Sequence, residues 1–248
     1  MSSRRQRPAE SFVGLFAGYV IILFCFTIHI VGFLVWHTTI SALSNTSLLF
    51  TVFVQSIFHY LFIAALWSYI KVIITNGGFP DDSCRVEPDR WCTKCEVGKD
   101  IRTHHCSVCN QCVLEMDHHC IWLSRCVGQR NRKYFLLFII YEAFMNLFVA
   151  LTLGYIFFFR NEVIFVFGGY FSSGLLLLLT TTMAACLIPF SGYHLWLVSR
   201  GLTTLEHISF GSAHKRVGSS VEQRFTEESS FNVWSFPKVY TSSKGDSC

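Results

Sequence analysis

The sequence predicts an all-α membrane protein with four transmembrane helices and a small cytosolic zinc-bound Cys-rich domain between helices 2 and 3. Hydrophobic residues make up 52% of the chain and charged residues only 15%, whereas charged residues are about a quarter of a typical soluble domain. Four long apolar stretches divide the chain. The polar segment between the second and the third contains seven cysteines and four histidines within residues 92–131.

The first two apolar stretches are each long enough to cross a bilayer. Ser11–Trp36 has no charged residue and exceeds the roughly 20 residues that a transmembrane helix needs. It is also longer than the apolar core of a cleaved signal peptide, so a retained helix is expected. The second stretch, Leu48–Ile74, is followed by the turn-forming residues Asn76-Gly77-Gly78-Phe79-Pro80.

Two further spans follow the Cys-rich segment. The third is Tyr134–Phe159, and the fourth apolar stretch, Val163–Val198, is longer than one span requires. Its helix is therefore expected to begin near Gly169 or Tyr170. The predicted division of the chain is a cytosolic N-terminus over 1–10, helices 1 and 2 over 11–74, the Cys-rich domain over 81–133, helices 3 and 4 over 134–198 and a cytosolic tail over 199–248.

The distribution of Lys and Arg predicts the orientation. Three arginines precede the first span, ten basic residues lie from Lys71 to Lys133, six lie from Arg200 onward, and the other two loops hold only Arg160. Basic loops stay on the cytosolic side, so both termini and the Cys-rich domain are expected there. The net charge of +4 is modest and does not indicate nucleic-acid binding. We expect an endomembrane location, in the Golgi or the endoplasmic reticulum.

A few polar side chains interrupt the apolar stretches at membrane depth. Such residues mark transport pathways when they are organised along a route. These are scattered and show no repeat, so we expect them to bond neighbouring helices or to lie near an interface. They are His29, His59, Glu142 and His194.

The Cys-rich segment has the spacing C-x2-C-x9-H-C-x2-C-x2-C-x4-D-H-H-C-x5-C. Paired CxxC steps next to histidines are typical of tetrahedral zinc sites, because both sulfurs of a step reach one ion. Two such sites need eight ligands, and eleven candidates are present. Some of these side chains are therefore available for other chemistry.

Asp117-His118-His119-Cys120 is the part of the segment that best fits catalysis. A thiol reacts as its thiolate, a neighbouring histidine can take the proton, and a carboxylate can orient that histidine. The alternative is that all four residues belong to the zinc sites. The spacing alone leaves both interpretations open.

The segment resembles the Cys-rich domain of the DHHC-type protein S-acyltransferases, or palmitoyltransferases. The matching residues are Cys92-x2-Cys95, His105-Cys106-x2-Cys109-x2-Cys112, Asp117-His118-His119-Cys120, Cys126-Val127-Gly128, Asn131 and Tyr134-Phe135. Thr203-Thr204-Leu205-Glu206 is similar to the TTxE motif that follows the fourth span in this family. The resemblance covers roughly residues 11–206.

The resemblance implies two structural Zn2+ ions with interleaved ligands. One ion would be held by Cys92, Cys95, His105 and Cys112, and the other by Cys106, Cys109, His119 and Cys126. Cys120 and His118 would then remain free of metal.

The resemblance also implies the chemistry. Cys120 would be the nucleophile that takes a fatty acyl group from palmitoyl-CoA, or another long-chain acyl-CoA, as a thioester intermediate, which makes the protein itself a lipoprotein. His118 would be the general base and Asp117 its orienting carboxylate. The TTxE motif would support them from below, with Thr204 bonded to Asp117; its polar members are Thr203, Thr204 and Glu206. The expected CoA-phosphate contacts, with solvated surface charge as the alternative, are Lys99, Arg102 and His104.

The implied function is transfer of the acyl group to client proteins that carry cytosolic juxtamembrane cysteines, in contact with membrane lipid. The sequence departs from the family at Ile121, where proline is usual, and at Ser124-Arg125, where asparagine usually precedes the last zinc cysteine. These departures make an accessory subunit a further expected partner.

The alternative function is a catalytically silent, zinc-stabilised membrane adaptor. Such an adaptor needs only the eight zinc ligands, so the intact Asp117, His118 and Cys120 favour the enzyme.

Overall fold

The computed structural model describes residues 12–41, 47–80, 91–160 and 170–213. The predicted N-terminus and most of the predicted C-terminal tail lie outside these residues. The helices are α1 (Phe12–Ser41), α2 (Leu48–Ile74), α3 (Arg132–Tyr155), α4 (Tyr170–Ser199) and α5 (Thr204–Ala213). The strands are β1 (Trp91–Cys92), β2 (Val97–Gly98), β3 (His104–Cys106), β4 (Gln111–Val113), β5 (His118–Cys120) and β6 (Arg125–Val127).

Among the described residues, four helices are long and apolar enough to cross a membrane, which confirms the predicted fold class. Large apolar side chains on them remain exposed, such as Leu23 at 67%, Phe53 at 63% and Leu151 at 65%. Exposed apolar surface of this extent is typical of helices that face lipid. The candidate spans are Phe16–Ser41, Leu48–Ile74, Arg132–Phe158 and Ser172–Ser199.

The described residues form two compact units. The first contains residues 12–21, 71–80, 91–133 and 194–213, and the second contains 22–41, 47–70, 134–160 and 170–193. The core of the second unit is aromatic and aliphatic: Trp36, Ile40, Val54, Phe58, Val149, Leu153 and Ile156. Trp36 stacks on Phe58 with ring centroids 4.7 Å apart, and its indole N–H donates to Gln55 Oε1 at 3.0 Å. The one polar atom of this large buried side chain is thus satisfied, as burial requires.

Polar side chains in the second unit pair across helices. His29 Nε2 of α1 lies 2.5 Å from Glu142 Oε1 of α3. His37 Nε2 of α1 lies 3.0 Å from His59 Nε2 of α2. An unpaired polar group is costly where no water reaches it, so these pairs stabilise the helix packing. Three of the four polar residues expected to bond neighbouring helices do so.

Three short antiparallel hairpins make up the Cys-rich domain of the first unit. They pair β1 with β2, β3 with β4 and β5 with β6. In the first two, the residue after the second cysteine of the CxxC step has a left-handed backbone: Glu96 with φ 54° and Asn110 with φ 50°. This conformation turns the chain back over the two sulfurs. Much of the domain's buried cluster is sulfur-bearing, since Cys106, Cys109, Val113, Met116 and Cys126 pack together.

Asn131 ties the end of α2 to the last hairpin. It is fully buried, and its Nδ2 donates to Thr75 O at 3.1 Å and to Cys126 O at 3.0 Å. Its Oδ1 accepts the Gly128 N–H at 2.9 Å. A Cβ on Gly128 would lie 2.6 Å from Gly77 O, so only glycine allows these two chain segments to approach so closely.

Gly18 of α1 provides a similar close approach to the turn between β5 and β6. A Cβ at Gly18 would lie 1.9 Å from Ser124 Oγ and 2.8 Å from Ser124 Cβ. Ser124 has a left-handed backbone with φ 51°. The small side chains at both positions therefore allow α1 to pack directly on this turn.

Gly18→Ala is expected to destabilise the protein by about 1–3 kcal/mol, because the added methyl group overpacks the contact with Ser124. The measurement is thermal unfolding in detergent together with zinc content. Ser124→Gly should restore most of the lost stability, since it removes the clashing atoms and suits a positive φ. Gly32→Ala is the matched control, because a Cβ there meets nothing within 4 Å. Equal destabilisation by Gly18→Ala with and without Ser124→Gly would contradict this contact.

Candidate functional site

The first Cys/His cluster combines the ends of two hairpins. His105 Nδ1 lies 3.6 Å from Cys92 Sγ, 3.2 Å from Cys95 Sγ and 3.9 Å from Cys112 Sγ. Cys95 follows β1, and His105 and Cys112 are directly opposite each other in the β3–β4 pair. All four ligand atoms lie within 4.8 Å of one another.

The second cluster uses the remaining ligands implied by the resemblance. His119 Nδ1 lies 3.7 Å from Cys106 Sγ, 3.2 Å from Cys109 Sγ and 3.6 Å from Cys126 Sγ. Cys109 Sγ and Cys126 Sγ are 3.5 Å apart. These four atoms also lie within 4.8 Å of one another.

Both clusters fit a tetrahedral zinc ion. With Zn–S of about 2.3 Å and Zn–N of about 2.0–2.1 Å, tetrahedral angles place sulfur and nitrogen about 3.6 Å apart. The observed separations bracket that value. Three thiols and one imidazole complete each coordination shell, as in structural zinc sites, and leave no position for a reactive water. When bound, zinc supplies folding energy to a domain that has little apolar core.

Strand alternation explains why the two ligand sets interleave in sequence. Successive side chains of a strand point to opposite faces, so His105 and Cys106 of β3 point in opposite directions. His105 joins the first cluster and Cys106 the second. One strand thus contributes to both metal sites.

The β5–β6 hairpin uses the same alternation to separate the metal ligands from His118 and Cys120. His119 stands opposite Cys126 in the strand register, and both belong to the second cluster. The neighbouring pairs are His118 opposite Val127 and Cys120 opposite Arg125. Because the period of a strand is two, these pairs lie on the other face. His118 and Cys120 therefore share the face that points away from the zinc ligands.

Asp117 is fully buried below His118. Its Oδ2 accepts hydrogen bonds from His118 Nδ1–H and from Thr204 Oγ1–H, both at 2.8 Å, and its Oδ1 accepts the Thr204 N–H at 3.0 Å. Arg132 Nη2 lies 3.5 Å from Oδ1. Burial alone would raise the pKa of Asp117, but the hydrogen bond from His118, the charge of Arg132 and the Thr204 N–H hold it well below its usual value.

His118 connects this carboxylate to the thiol. Burial opposes a charge on the ring, but hydrogen bonds with Asp117 and with Cys120 outweigh it and raise the pKa of His118 to about 9. Since Nδ1 is bonded to Asp117, Nε2 is the ring nitrogen left for Cys120. The side chains form a carboxylate–imidazole–thiol series, which suits proton transfer from a nucleophilic thiol.

The residues Thr203 to Glu206 serve two purposes at the start of α5. Glu206 Oε2 accepts the Thr203 N–H at 2.7 Å, and Thr203 Oγ1 accepts the Glu206 N–H at 3.2 Å. This reciprocal pair is a capping box. It presents the next residue, Thr204, to Asp117 with both its N–H and its hydroxyl. Thr203 and Glu206 therefore cap α5, while Thr204 holds Asp117 as the resemblance implied.

Arg102 is bound to the same motif. Its Nε and Nη2 donate to the two oxygens of Glu206 at 2.6 and 3.1 Å, and Nη2 also donates to Gly201 O at 3.0 Å. Its Nη1 lies 3.6 Å from Glu115 Oε2. A bidentate contact of this kind fixes geometry, so the guanidinium holds α5 in place.

The other two expected CoA contacts lie in the chain segment that leads from the end of β2 into β3. Lys99 is half-buried between β2 and β3. His104 begins β3 opposite Val113 and is half-buried.

His194 and Arg132 were not expected near this site from the sequence. His194 of α4 is 2% exposed, its Nδ1 lies 4.0 Å from Asp117 Oδ2, and its ring centroid lies 5.9 Å from that of His118. Arg132 also donates to Leu202 O. The only sequence signal for His194 is a polar residue near the end of an apolar helix, nine positions before Thr203.

Comparison with protein families matches residues 85–211, just over half of the chain, to the family described as DHHC palmitoyltransferase. The matched region contains both metal clusters, the β5–β6 hairpin and the start of α5.

Curated relatives carry similar names. The chain is 34% identical to "Probable protein S-acyltransferase 13" of Arabidopsis thaliana over 187 residues, which is 64% of this chain and 62% of the relative. It is 36% identical to "Palmitoyltransferase ZDHHC2" of Mus musculus, over 64% of this chain and 45% of that protein. It is 41% identical to "Palmitoyltransferase ZDHHC15" of Rattus norvegicus, over 47% of this chain and 35% of that protein. The chain spans about half the length of the curated relatives it matches.

Proposed function

Because the chain belongs to the DHHC palmitoyltransferase family, we propose that it is a protein S-palmitoyltransferase. It moves a fatty acyl group from acyl-CoA to Cys120 and then to cysteine thiols of client proteins. The observation that carries this proposal is the hydrogen-bonded series of Asp117, His118 and Cys120, in which His118 and Cys120 lie on the hairpin face opposite the zinc ligands. The eight metal ligands account for none of these three side chains.

In the first step, His118 takes the proton of the Cys120 thiol and Sγ attacks the thioester carbonyl carbon of the acyl-CoA. A carbon–sulfur bond to Cys120 forms as the bond to the CoA sulfur breaks. The CoA sulfur leaves with the proton that His118 held. One thioester replaces another, so the reaction needs no external energy source, and the protein's task is to position and activate the thiol.

In the second step, a client thiol loses its proton to His118 and attacks the same carbonyl carbon. The bond to Cys120 Sγ breaks, and Sγ recovers a proton from His118. Asp117 keeps His118 in one tautomer and stabilises its charged form in both steps. Thr204 and the Arg102–Glu206 pair keep Asp117 in position.

The acyl donor is a long-chain acyl-CoA such as palmitoyl-CoA, and the clients carry cytosolic juxtamembrane cysteines. Moving a fatty chain into water costs about 0.8 kcal/mol per CH2, which favours transfer at the surface of the membrane that the four helices cross. The distribution of basic residues supports a cytosolic site and cytosolic termini. We assign the protein to the Golgi or endoplasmic reticulum membrane, with an accessory subunit as a further partner.

Two structural zinc ions and the CoA group complete the proposed site. The thiol–imidazole clusters support zinc as the metal. Lys99 and His104 are the proposed contacts for the CoA phosphates. Arg102 is assigned to the clamp on Glu206, because two of its nitrogens already bond that carboxylate.

The test is labelling of the purified protein with alkyne-tagged palmitoyl-CoA, comparing wild type with Cys120→Ser. Wild type should take up label that hydroxylamine releases, whereas Cys120→Ser should take up none while it retains both zinc ions. Equal labelling of the two proteins, or no labelling of zinc-loaded wild type, would contradict a thioester at Cys120. The silent-adaptor alternative predicts the second of these results.

A further inference from the structure

We propose that Arg125 is a further catalytic residue, whose guanidinium stabilises the oxyanion that forms when the Cys120 sulfur attacks a thioester. This inference rests on the proposed acyl transfer at Cys120. It assigns a specific task to a position at which the chain departs from the sequence usual in its family.

The strand register places Arg125 directly opposite Cys120. Directly opposite residues of an antiparallel pair lie on the same face, with Cβ atoms about 4.5–5.5 Å apart. An arginine side chain is long enough to extend past its neighbour's sulfur. Arg125 is therefore the basic side chain that the β5–β6 hairpin presents on the face of Cys120 and His118.

The Arg125 side chain has an unused donor. Its Nε is buried and has no hydrogen-bond partner among the described residues. Leaving a buried donor unpaired is unfavourable, and more so for a charged group. An acceptor supplied by the substrate would recover this free energy. A carbonyl oxygen that becomes negatively charged during the reaction would gain most from such a donor.

The alternative role for Arg125 is to neutralise the second zinc cluster, whose three thiolates and one Zn2+ carry a net negative charge. Arg125 precedes the ligand Cys126 in the chain. However, adjacent strand residues point to opposite faces, so the Arg125 side chain is directed away from the face that binds the metal. The register thus favours the thiol over the zinc as the partner.

The step balances as follows. Sγ donates an electron pair to the carbonyl carbon, and the carbonyl π pair moves onto oxygen to give the oxyanion that the guanidinium of Arg125 binds. The oxygen then re-forms the double bond, and the carbon–sulfur bond to CoA breaks. The CoA sulfur leaves with the proton held by His118. The second transfer passes through an equivalent oxyanion, so Arg125 serves both steps.

The experiment compares Arg125→Gln with wild type by two reactions at Cys120. The first is single-turnover acylation by palmitoyl-CoA. The second is alkylation of Cys120 by iodoacetamide, read by mass spectrometry, which forms no oxyanion. We expect acylation to slow by about 10²–10³-fold, the effect of removing one oxyanion donor, while alkylation and zinc content stay unchanged. Arg125→Lys should retain part of the acylation rate, because it keeps the positive charge.

Arg130→Gln is the matched control, since it removes the same charge from an exposed position of the same domain. Unchanged acylation in Arg125→Gln would overturn the proposal. So would an equal fall in alkylation, which would assign Arg125 to thiol activation, or a loss of zinc that accounts for the fall in acylation. Failure of zinc-loaded wild type to acylate Cys120 would overturn the proposed function and this inference together, whereas the other results leave the proposed function intact.

Discussion

His118→Ala and His119→Ala are expected to disable the protein in different ways, although the two residues are adjacent. His118→Ala should keep both zinc ions and lose about 10²–10⁴-fold in the rate of Cys120 acylation, the usual contribution of a general base. His119→Ala should lose the second zinc ion, because three ligands remain where a closed tetrahedral site needs four. Zinc analysis and single-turnover acylation of the same samples separate the two effects.

His119→Cys is the control that tests whether position 119 needs only a zinc ligand or specifically an imidazole. It offers four thiolates, which is also a stable structural zinc shell, so zinc should return and acylation with it. His118→Cys should not restore acylation, because a thiol cannot take over the hydrogen bond from Nδ1 to Asp117. If His118→Ala lost zinc as readily as His119→Ala, the separation of the two hairpin faces would be wrong.

Asp117→Asn is expected to slow acylation about 10³–10⁴-fold while zinc content stays unchanged. The amide has the shape of the carboxylate, but it cannot stabilise a charged imidazole, and comparable substitutions in catalytic triads cost about 10⁴-fold. It also leaves Arg132, 3.5 Å from Oδ1, without its counter-charge. The measurement is single-turnover acylation at saturating acyl-CoA, so that a change in donor affinity does not contribute.

Thr204→Val is expected to slow acylation less than Asp117→Asn does. It removes the hydroxyl that donates to Oδ2 at 2.8 Å but keeps the backbone N–H that donates to Oδ1 at 3.0 Å. The loss should be about 10–150-fold, because one hydrogen bond to a charged group is worth about 1.5–3 kcal/mol, about 1.4 kcal/mol is tenfold in rate, and the carboxylate remains. If Thr204→Val slowed acylation as much as Asp117→Asn, the position of α5, rather than the charge of the Asp117 carboxylate, would control the acylation of Cys120.

The parts of the fold that depend on local sequence could be predicted. Span length and the scarcity of charge indicated four helices, because every backbone group in lipid must be satisfied within a helix. CxxC spacing indicated metal sites, since sulfurs three positions apart reach one ion. The division of the ligands between two sites came from the family resemblance, and the two ligand clusters of the structure have that composition.

The resemblance implied one long-range contact, between Thr204 and Asp117, but three others were not predicted. Arg102 was expected to meet CoA phosphates, but it lies against Glu206, 104 positions later in the chain. His194 was expected to bond a neighbouring helix or to lie near an interface, yet it lies beside Asp117. The contact between Gly18 and Ser124 joins residues more than a hundred positions apart. Each of these contacts depends on tertiary packing, which the local spacing of residues does not indicate.

In the β5–β6 hairpin, a residue's position along the strand decides whether its side chain lies on the metal face or on the thiol face. Residues an even number of positions apart share a face and residues an odd number apart do not. Inserting or deleting one residue inside β5 would exchange the metal-facing and thiol-facing side chains together, so both functions would fail in a single event. A substitution in this hairpin leaves the division of its faces intact, whereas a change of length preserves that division only in the turn between the strands.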